Sequence, residues 1–171
     1  FRFPIPPTGG ADHAAMKVRE AVPEDATAAC LVMRRSIVEL CVADHRNDPA
    51  VLQRWLSNKT PEAFRSWIGP GNSLLVAVNG NSILAVGCVT DAGEITLVYV
   101  SPDARFAGVS TALLRALEDC AAERGNAVCT LESTETARRF YLARGYSEDG
   151  PPDCKFGTTS AYPMLKRLEP R

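Results

Sequence analysis

The sequence predicts an α+β, or mixed α/β, domain: a sheet containing three successive antiparallel strands, covered by helices. Three observations lead there. Apolar residues recur at helical spacing through residues 23–42, with Ala29, Val32, Met33, Ile37, Leu40 and Cys41 on one stripe. Strand-like runs at 74–79, 82–89 and 94–100 then come in close succession, separated by Gly80-Asn81 and Asp91-Ala92-Gly93. Beyond them, helical and strand patterns alternate to the end.

Each element has a local reason. The run 16–19 is short and alternating, as a first strand. Pro23-Glu24-Asp25 opens the first helix, because proline suits the first turn and acids suit its positive end. A polar connection over 44–49 ends it. Shorter helices are expected near 49–56 and 61–68, the second begun by Pro61 and stopped by Gly69-Pro70-Gly71. A strong amphipathic helix spans about 109–124, with Val109, Leu113, Leu117 and Cys120 inward and Gly125 at its end. A strand at 127–131 comes next. A helix capped by Ser133 or Thr134 then runs to Gly145, and strands near 153–158 and 161–168 close the chain.

The 171 residues are 46% hydrophobic and 23% charged, which fits one folded domain over 16–171. A Pro- and Gly-rich segment, 1–15, reads as a flexible N-terminal arm. The formal net charge of −1 offers no support for a nucleic-acid partner. No apolar run is long enough for a membrane span and no secretion signal is evident, so neither is expected. Six cysteines, none in a CxxC pair, read as reduced core residues of a cytoplasmic protein. His13 and His45 are too far apart for a histidine-rich metal site, and no metal is expected.

The sharpest local signal is Arg105-x-x-Gly108-x-Ser110 between a strand and a helix. Small residues let backbone approach a ligand, and the first N–H groups of a helix have no intrahelical acceptor. Such donors suit phosphate oxygens, and Arg105 adds charge. A sharp turn with Gly108 permitting close helix–sheet packing explains the same residues. Neither GxxxxGK[ST] nor GxGxxG is present.

With these residues in place, the chain resembles the GCN5-related N-acetyltransferase (GNAT) superfamily over roughly 18–168. The resemblance rests on Leu97-Val-Tyr-Val-Ser-Pro102 followed by Arg105-Phe-Ala-Gly-Val-Ser110, close to the family's [Arg/Gln]-x-x-Gly-x-[Gly/Ala]. Ser110 stands where Gly or Ala is usual. A second match is Thr134 to Tyr146, similar to Asn-x-x-Ala-x-x-Phe-Tyr-x-x-x-Gly-Phe, with Thr134 replacing Asn and Tyr146 replacing Phe. The resemblance implies a GNAT-type acyl-CoA acyltransferase fold, with a central, mostly antiparallel twisted sheet flanked by helices.

It also implies acetyl-CoA as cofactor and direct acetyl transfer to a primary amine of a small molecule or peptide. The expected cofactor-binding residues are Val98, Tyr99, Val100, Arg105, Phe106, Ala107, Gly108, Val109, Ser110, Thr111, Thr134, Ala137 and Phe140. The N–H of Tyr99 or Val100 is the expected donor to the carbonyl. Tyr141 is the candidate acid for the departing thiolate, or else a packed aromatic. Glu94 leads as general base and Glu132 competes. His45 is a second base candidate, unless Asp44 and His45 instead knit two helices together. Glu39, Asp44 and Glu132 are candidates for holding a cationic acceptor. Trp55, Phe64 and Trp67 read as core, and Cys41 is rejected as nucleophile because direct transfer needs none. A catalytically silent acyl-CoA-binding module is the competing function, and a homodimer is compatible with either.

Overall fold

The computed structural model describes residues 16–105, 107–154 and 161–170. The expected arm at 1–15, Phe106, and most of the strand expected near 153–158 lie outside the described residues.

The described elements are β1 (Lys17–Glu20), α1 (Ala26–Leu40), α2 (Val42–His45), α3 (Pro49–Leu56), α4 (Pro61–Ser66), β2 (Asn72–Asn79), β3 (Ser82–Thr90), β4 (Glu94–Val100), α5 (Val109–Glu123), β5 (Val128–Ser133), α6 (Arg138–Leu142), β6 (Ser147–Glu148) and β7 (Tyr162–Arg167). These seven strands form one sheet in the order β1-β2-β3-β4-β5-β7-β6. Every neighbouring pair is antiparallel except β4–β5. This is the mostly antiparallel, helix-flanked architecture that the sequence predicts.

Side-chain alternation assigns the two faces. Leu74, Val76 and Val78 of β2 join Ala26, Ala29 and Met33 of α1 in one core. Leu75 and Ala77 turn to the other face, where Leu113, Leu114 and Leu117 of α5 cover them. Gly87 of β3 lets α5 sit close, since a Cβ there would meet Leu117 Cδ1 at 2.8 Å.

Two departures from regularity in β4 open the sheet. The β3–β4 register steps so that Cys88 faces Leu97 and Val89 faces Ile95, leaving Thr96 as an extra residue. Ile95 and Val98 therefore point to the same face, with the α5 core, while Leu97 and Tyr99 point to the α1 side. Secondly, β4 meets β5 only at Glu94↔Thr130 and Ile95↔Leu131. From Thr96 onward the two strands part, and among the described residues that edge of β4 has no strand partner.

The single helix expected over 23–42 is observed as a short 3-10 turn, Pro23–Asp25, then α1 and α2. Cys41 departs from helical geometry at φ −100°, ψ 30°. The chain then turns sharply at Arg46 and Asn47, both with positive φ. Asp48 caps α3 by accepting from the Ala50 and Val51 N–H groups. The helix expected from Thr134 starts later, at Arg138. The intervening residues 134–137 form a turn, which Asp44 anchors from across the sheet.

Candidate functional site

The parting of β4 and β5 opens the sheet into two cavities that share Ile95, Thr96, Leu97, Tyr99, Glu132 and Thr134. One, of about 520 Å³, lies toward α5 and α6. The other, of about 410 Å³, lies toward α3 and α4 and is lined by Trp55, Asn58, Lys59, Trp67 and Glu94 among others. Both are of the size that holds a small ligand.

The larger cavity runs along the open edge of β4 to the start of α5. Of the thirteen residues expected to bind the cofactor, Val98, Tyr99, Val100, Arg105, Gly108, Val109, Ser110, Thr111, Thr134, Ala137 and Phe140 line it. Ala107 does not, and Phe106 lies outside the described residues. Gly108 caps α5 at φ 75°, a conformation that favours glycine. No side chain caps this helix. The N–H groups of Val109, Ser110 and Thr111, in its first turn, have no intrahelical acceptor, and these three residues line the cavity.

The backbone of β4 narrows the choice of carbonyl donor. Ser101 N–H donates to Leu84 O at 2.7 Å, toward β3. Since N–H direction alternates along a strand, Tyr99 also points its N–H toward β3, opposite Val86. Val98 and Val100 point theirs to the open edge. Of the two donors expected, Val100 points its N–H to the open edge and Tyr99 does not, whereas Val98 does. The Tyr99 side chain faces the α1 side, where its hydroxyl accepts from Trp55 Nε1 at 3.2 Å.

Tyr141 is buried and lines the larger cavity, packed edge-on between Phe140 and Tyr146. Burial pushes its phenol above the ordinary tyrosine range. Cys41 lines the same cavity, and burial with help from Asp44 pushes its thiol up to about 12, which makes it a poor nucleophile at neutral pH. Glu132 lines both cavities, whereas Glu94 lines only the smaller one, one residue pair short of the opening. The two carboxylates thus border the smaller cavity, and Glu132, lining both, has the more central position.

Three expectations need correction. His45 is 1% exposed and lines neither cavity. The Asn47 N–H donates to its Nδ1 at 2.9 Å, which assigns the proton to Nε2, and Nε2 donates to Ile37 O at 3.0 Å. Both ring nitrogens are spent on tying the end of α1 to the turn before α3, so a catalytic base role does not fit. Asp44, also buried, faces away from any acceptor. It receives the Glu135 N–H at 2.7 Å, the Thr136 N–H at 3.2 Å and the Thr136 hydroxyl at 2.6 Å. Its work is to hold the 134–137 turn, within which the Ala137 N–H donates to Thr134 Oγ1. Glu39 is exposed, paired with Arg35 at 2.9 Å, and outside both cavities.

Arg144 and Lys59 are basic lining residues that a reading of the sequence does not single out. Arg144 donates to Thr111 Oγ1 through Nε and Nη2, at 3.0 and 2.9 Å, and its guanidinium stacks 3.9 Å from the centre of the Phe140 ring. Its place just before Gly145, inside the second motif, is the signal that marks it. Lys59 lines the smaller cavity while 3% exposed; nothing in its local sequence sets it apart. Trp55 and Trp67, read as core, border that cavity too, whereas Phe64 is wholly buried.

Among the described residues no group of three or more His, Cys, Asp or Glu side chains is arranged to hold a metal ion. Among the same residues no helix is long and apolar enough to cross a membrane.

A mixed sheet opened between β4 and β5, with the start of a helix beside the opening, is a frame suited to an anionic ligand, and comparison identifies the family. The model of the acetyltransferase (GNAT) domain family matches residues 41–168. The chain belongs to the GNAT acetyltransferase family. A GCN5-related N-acetyltransferase from Rhodopseudomonas palustris is similar at 25% identity and a TM-score of 0.79, covering 91% of this chain and 99% of that one. The PaiA N-acetyltransferase of Thermoplasma acidophilum, solved with coenzyme A, shares the fold at 17% identity and a TM-score of 0.77, covering 90% and 99% of the two chains. Aminoglycoside 6'-acetyltransferase type Ii shares it at 18% identity and a TM-score of 0.70, covering 91% and 99%. A search of curated proteins found no significant match. Family membership supports acetyl-CoA-dependent acetyltransferase activity in general terms.

Proposed function

We propose that the protein transfers an acetyl group from acetyl-CoA directly to the primary amine of a small molecule or peptide. The observation that carries this reading is the pair of cavities meeting where β4 and β5 part, so that donor and acceptor reach one point from opposite sides. The larger cavity fits the cofactor: open helix amides and Arg105 at one end suit phosphates, and a strand edge of unpaired donors suits an extended amide-bearing arm. When bound, acetyl-CoA supplies the activated thioester.

The protein's own residues divide the remaining tasks. Arg105, Gly108, Val109, Ser110 and Thr111 hold the pyrophosphate. Val98 and Val100 align the pantetheine arm and donate to the thioester carbonyl. Thr134, Ala137 and Phe140 form the opposite wall, steadied by Asp44 and Arg144. Tyr141, kept protonated by burial, donates to the departing sulfur. Glu132 accepts the proton lost by the incoming ammonium, and Glu94 helps attract that cation.

The test is thiol release from acetyl-CoA by the purified chain over a panel of polyamines, amino acids, aminoglycosides and peptide N-termini. Amine-dependent release is expected. Tight acetyl-CoA binding without transfer to any of them would overturn the reading.

A further inference from the structure

Among the described residues, Lys59 is a buried cation without an acidic partner. It is 3% exposed, and its ammonium meets Asn58 Oδ1 at 2.6 Å and the Tyr99 ring at 5.8 Å. No carboxylate among the described residues forms an ion pair with it. An ammonium has three donors, and one is used. Burying such a charge unpaired is costly, and burial brings the Lys59 pKa down to about 8.

The residue is nonetheless held in place. Its N–H donates to Leu56 O at 3.0 Å, its carbonyl accepts from Arg34 Nη1 at 3.2 Å and from Cys30 Sγ, and Thr60 beside it caps α4. The backbone is thus pinned by α1 and by both neighbouring helices. Lys59 lines the smaller cavity, whose wall also includes Glu94, Glu132, Trp55 and Trp67. One wall therefore offers two carboxylates for an amine, an unmatched cation for an anion, and aromatic surface for an apolar body.

We infer that the acceptor is an amino-carboxylic acid with an apolar side chain, its carboxylate held by Lys59 while its amine faces Glu132 and the cofactor. This rests on the acetyltransferase reading and names the acceptor class for the same site. Lys59 binds substrate, and the covalent step is unchanged: the acceptor nitrogen gains the acetyl carbon as the C–S bond breaks, and of the two protons its ammonium loses, one passes to Glu132 and the other replaces the one that Tyr141 gives to sulfur.

The test uses the full chain with phenylalanine and leucine, each beside the amine that lacks the carboxylate, phenethylamine and isoamylamine. Expected is a kcat/KM preference of about tenfold or more for the amino acids, the scale of a charge-assisted contact. In Lys59→Met, which keeps length and apolar volume, that ratio should fall toward one. Equal rates with each pair, or a preference that survives K59M, overturn the inference while leaving acetyl transfer standing. Quenching of tryptophan fluorescence, titrated with the same four compounds, judges Lys59 without turnover. Saturable binding of the amino acids that K59M weakens supports it; no binding, or equal binding of acid and amine, overturns it. Acetyl-CoA binding with no thiol release from any amine sinks the acetyltransferase reading instead.

Discussion

On the α5 side of the opened sheet, a stretch from Ile95 to Thr111 supplies much of one cavity wall. On the α3–α4 side, the wall is gathered from Trp55 to Ala161, across most of the chain. The first is built from backbone donors at a strand edge and a helix start. Its chemistry depends on conformation, and conformation follows local sequence. The second is built from side-chain tips, and its chemistry depends on which tips tertiary packing brings together. A fixed donor and a variable acceptor would give this division, since backbone donors are indifferent to side-chain identity.

The comparison breaks most sharply at Tyr141, which lines the backbone-built cavity and is proposed to act where the two cavities meet. Tyr141→Phe keeps the ring packed against Phe140 and Tyr146 and removes only the hydroxyl. The expected result is a fall in kcat of about 100-fold or more with the KM for acetyl-CoA little changed, as for loss of a general acid. An unchanged kcat would return Tyr141 to a packing role.

The next effect tests whether the two sides are mechanically joined. Asp44, which lies beyond the end of α1, holds the turn at Glu135 and Thr136 after β5, and the Asp44→Ala change leaves two backbone N–H groups and one hydroxyl without their acceptor. A loss of about 3 kcal/mol in denaturant unfolding is expected, from removing a buried charged acceptor. The KM for acetyl-CoA should rise as well if the larger cavity holds the cofactor as proposed, because Thr134 and Ala137 line it.

That link also marks where the sequence stops being legible. The proposed anion cradle is readable because Arg105, Gly108 and Ser110 are neighbours in sequence and a helix start has open amides by its nature. The sheet is readable because its strands announce themselves by alternation and glycine turns. The bulge at Thr96 is not, since an extra residue shows only against a partner strand. Asp44 and His45 look like a polar cluster fit for catalysis because no local pattern reveals that one side chain reaches 92 residues ahead and the other folds back onto the preceding helix, α1. Lys59 looks like an ordinary loop lysine, since burial is a property of the whole packing.

Lys59 sharpens the comparison through pH. Its folded pKa of about 8 lies below the ordinary lysine value of 10.5, so the folded state releases its proton first. The charged form is penalised in full below pH 8, and the penalty fades as pH rises from about 8 to 10.5. Cys41 works oppositely: its raised thiol stays protonated while the unfolded thiol ionises above pH 9.0, so stability falls there. The wild-type curve alone therefore mixes signs, and the difference between wild type and K59M isolates the lysine. K59M should be more stable by about 2 kcal/mol at pH 7, with the gap closing toward pH 10.5. A gap constant with pH would mean that packing rather than charge separates the two proteins.

The smallest effect concerns how α5 and α6 are fastened together around the cofactor. Arg144 reaches from the end of α6 to Thr111 in the first turn of α5, donating also to Phe140 O at 3.1 Å while stacking on that ring. If it acts through Thr111, the single changes Arg144→Ala and Thr111→Val should each raise the KM for acetyl-CoA by about tenfold at most, a charge-assisted hydrogen bond's worth. The double variant should then be hardly worse than either alone, with a coupling of about 1 kcal/mol. If Arg144 instead meets the cofactor directly, the two losses add, and Arg144→Lys, which keeps the charge but loses the planar fork, should recover much of the affinity. The cycle thereby separates a wall held by side chains from one whose donors are all backbone, which is the distinction between the two sides of the sheet carried into the cofactor cavity itself.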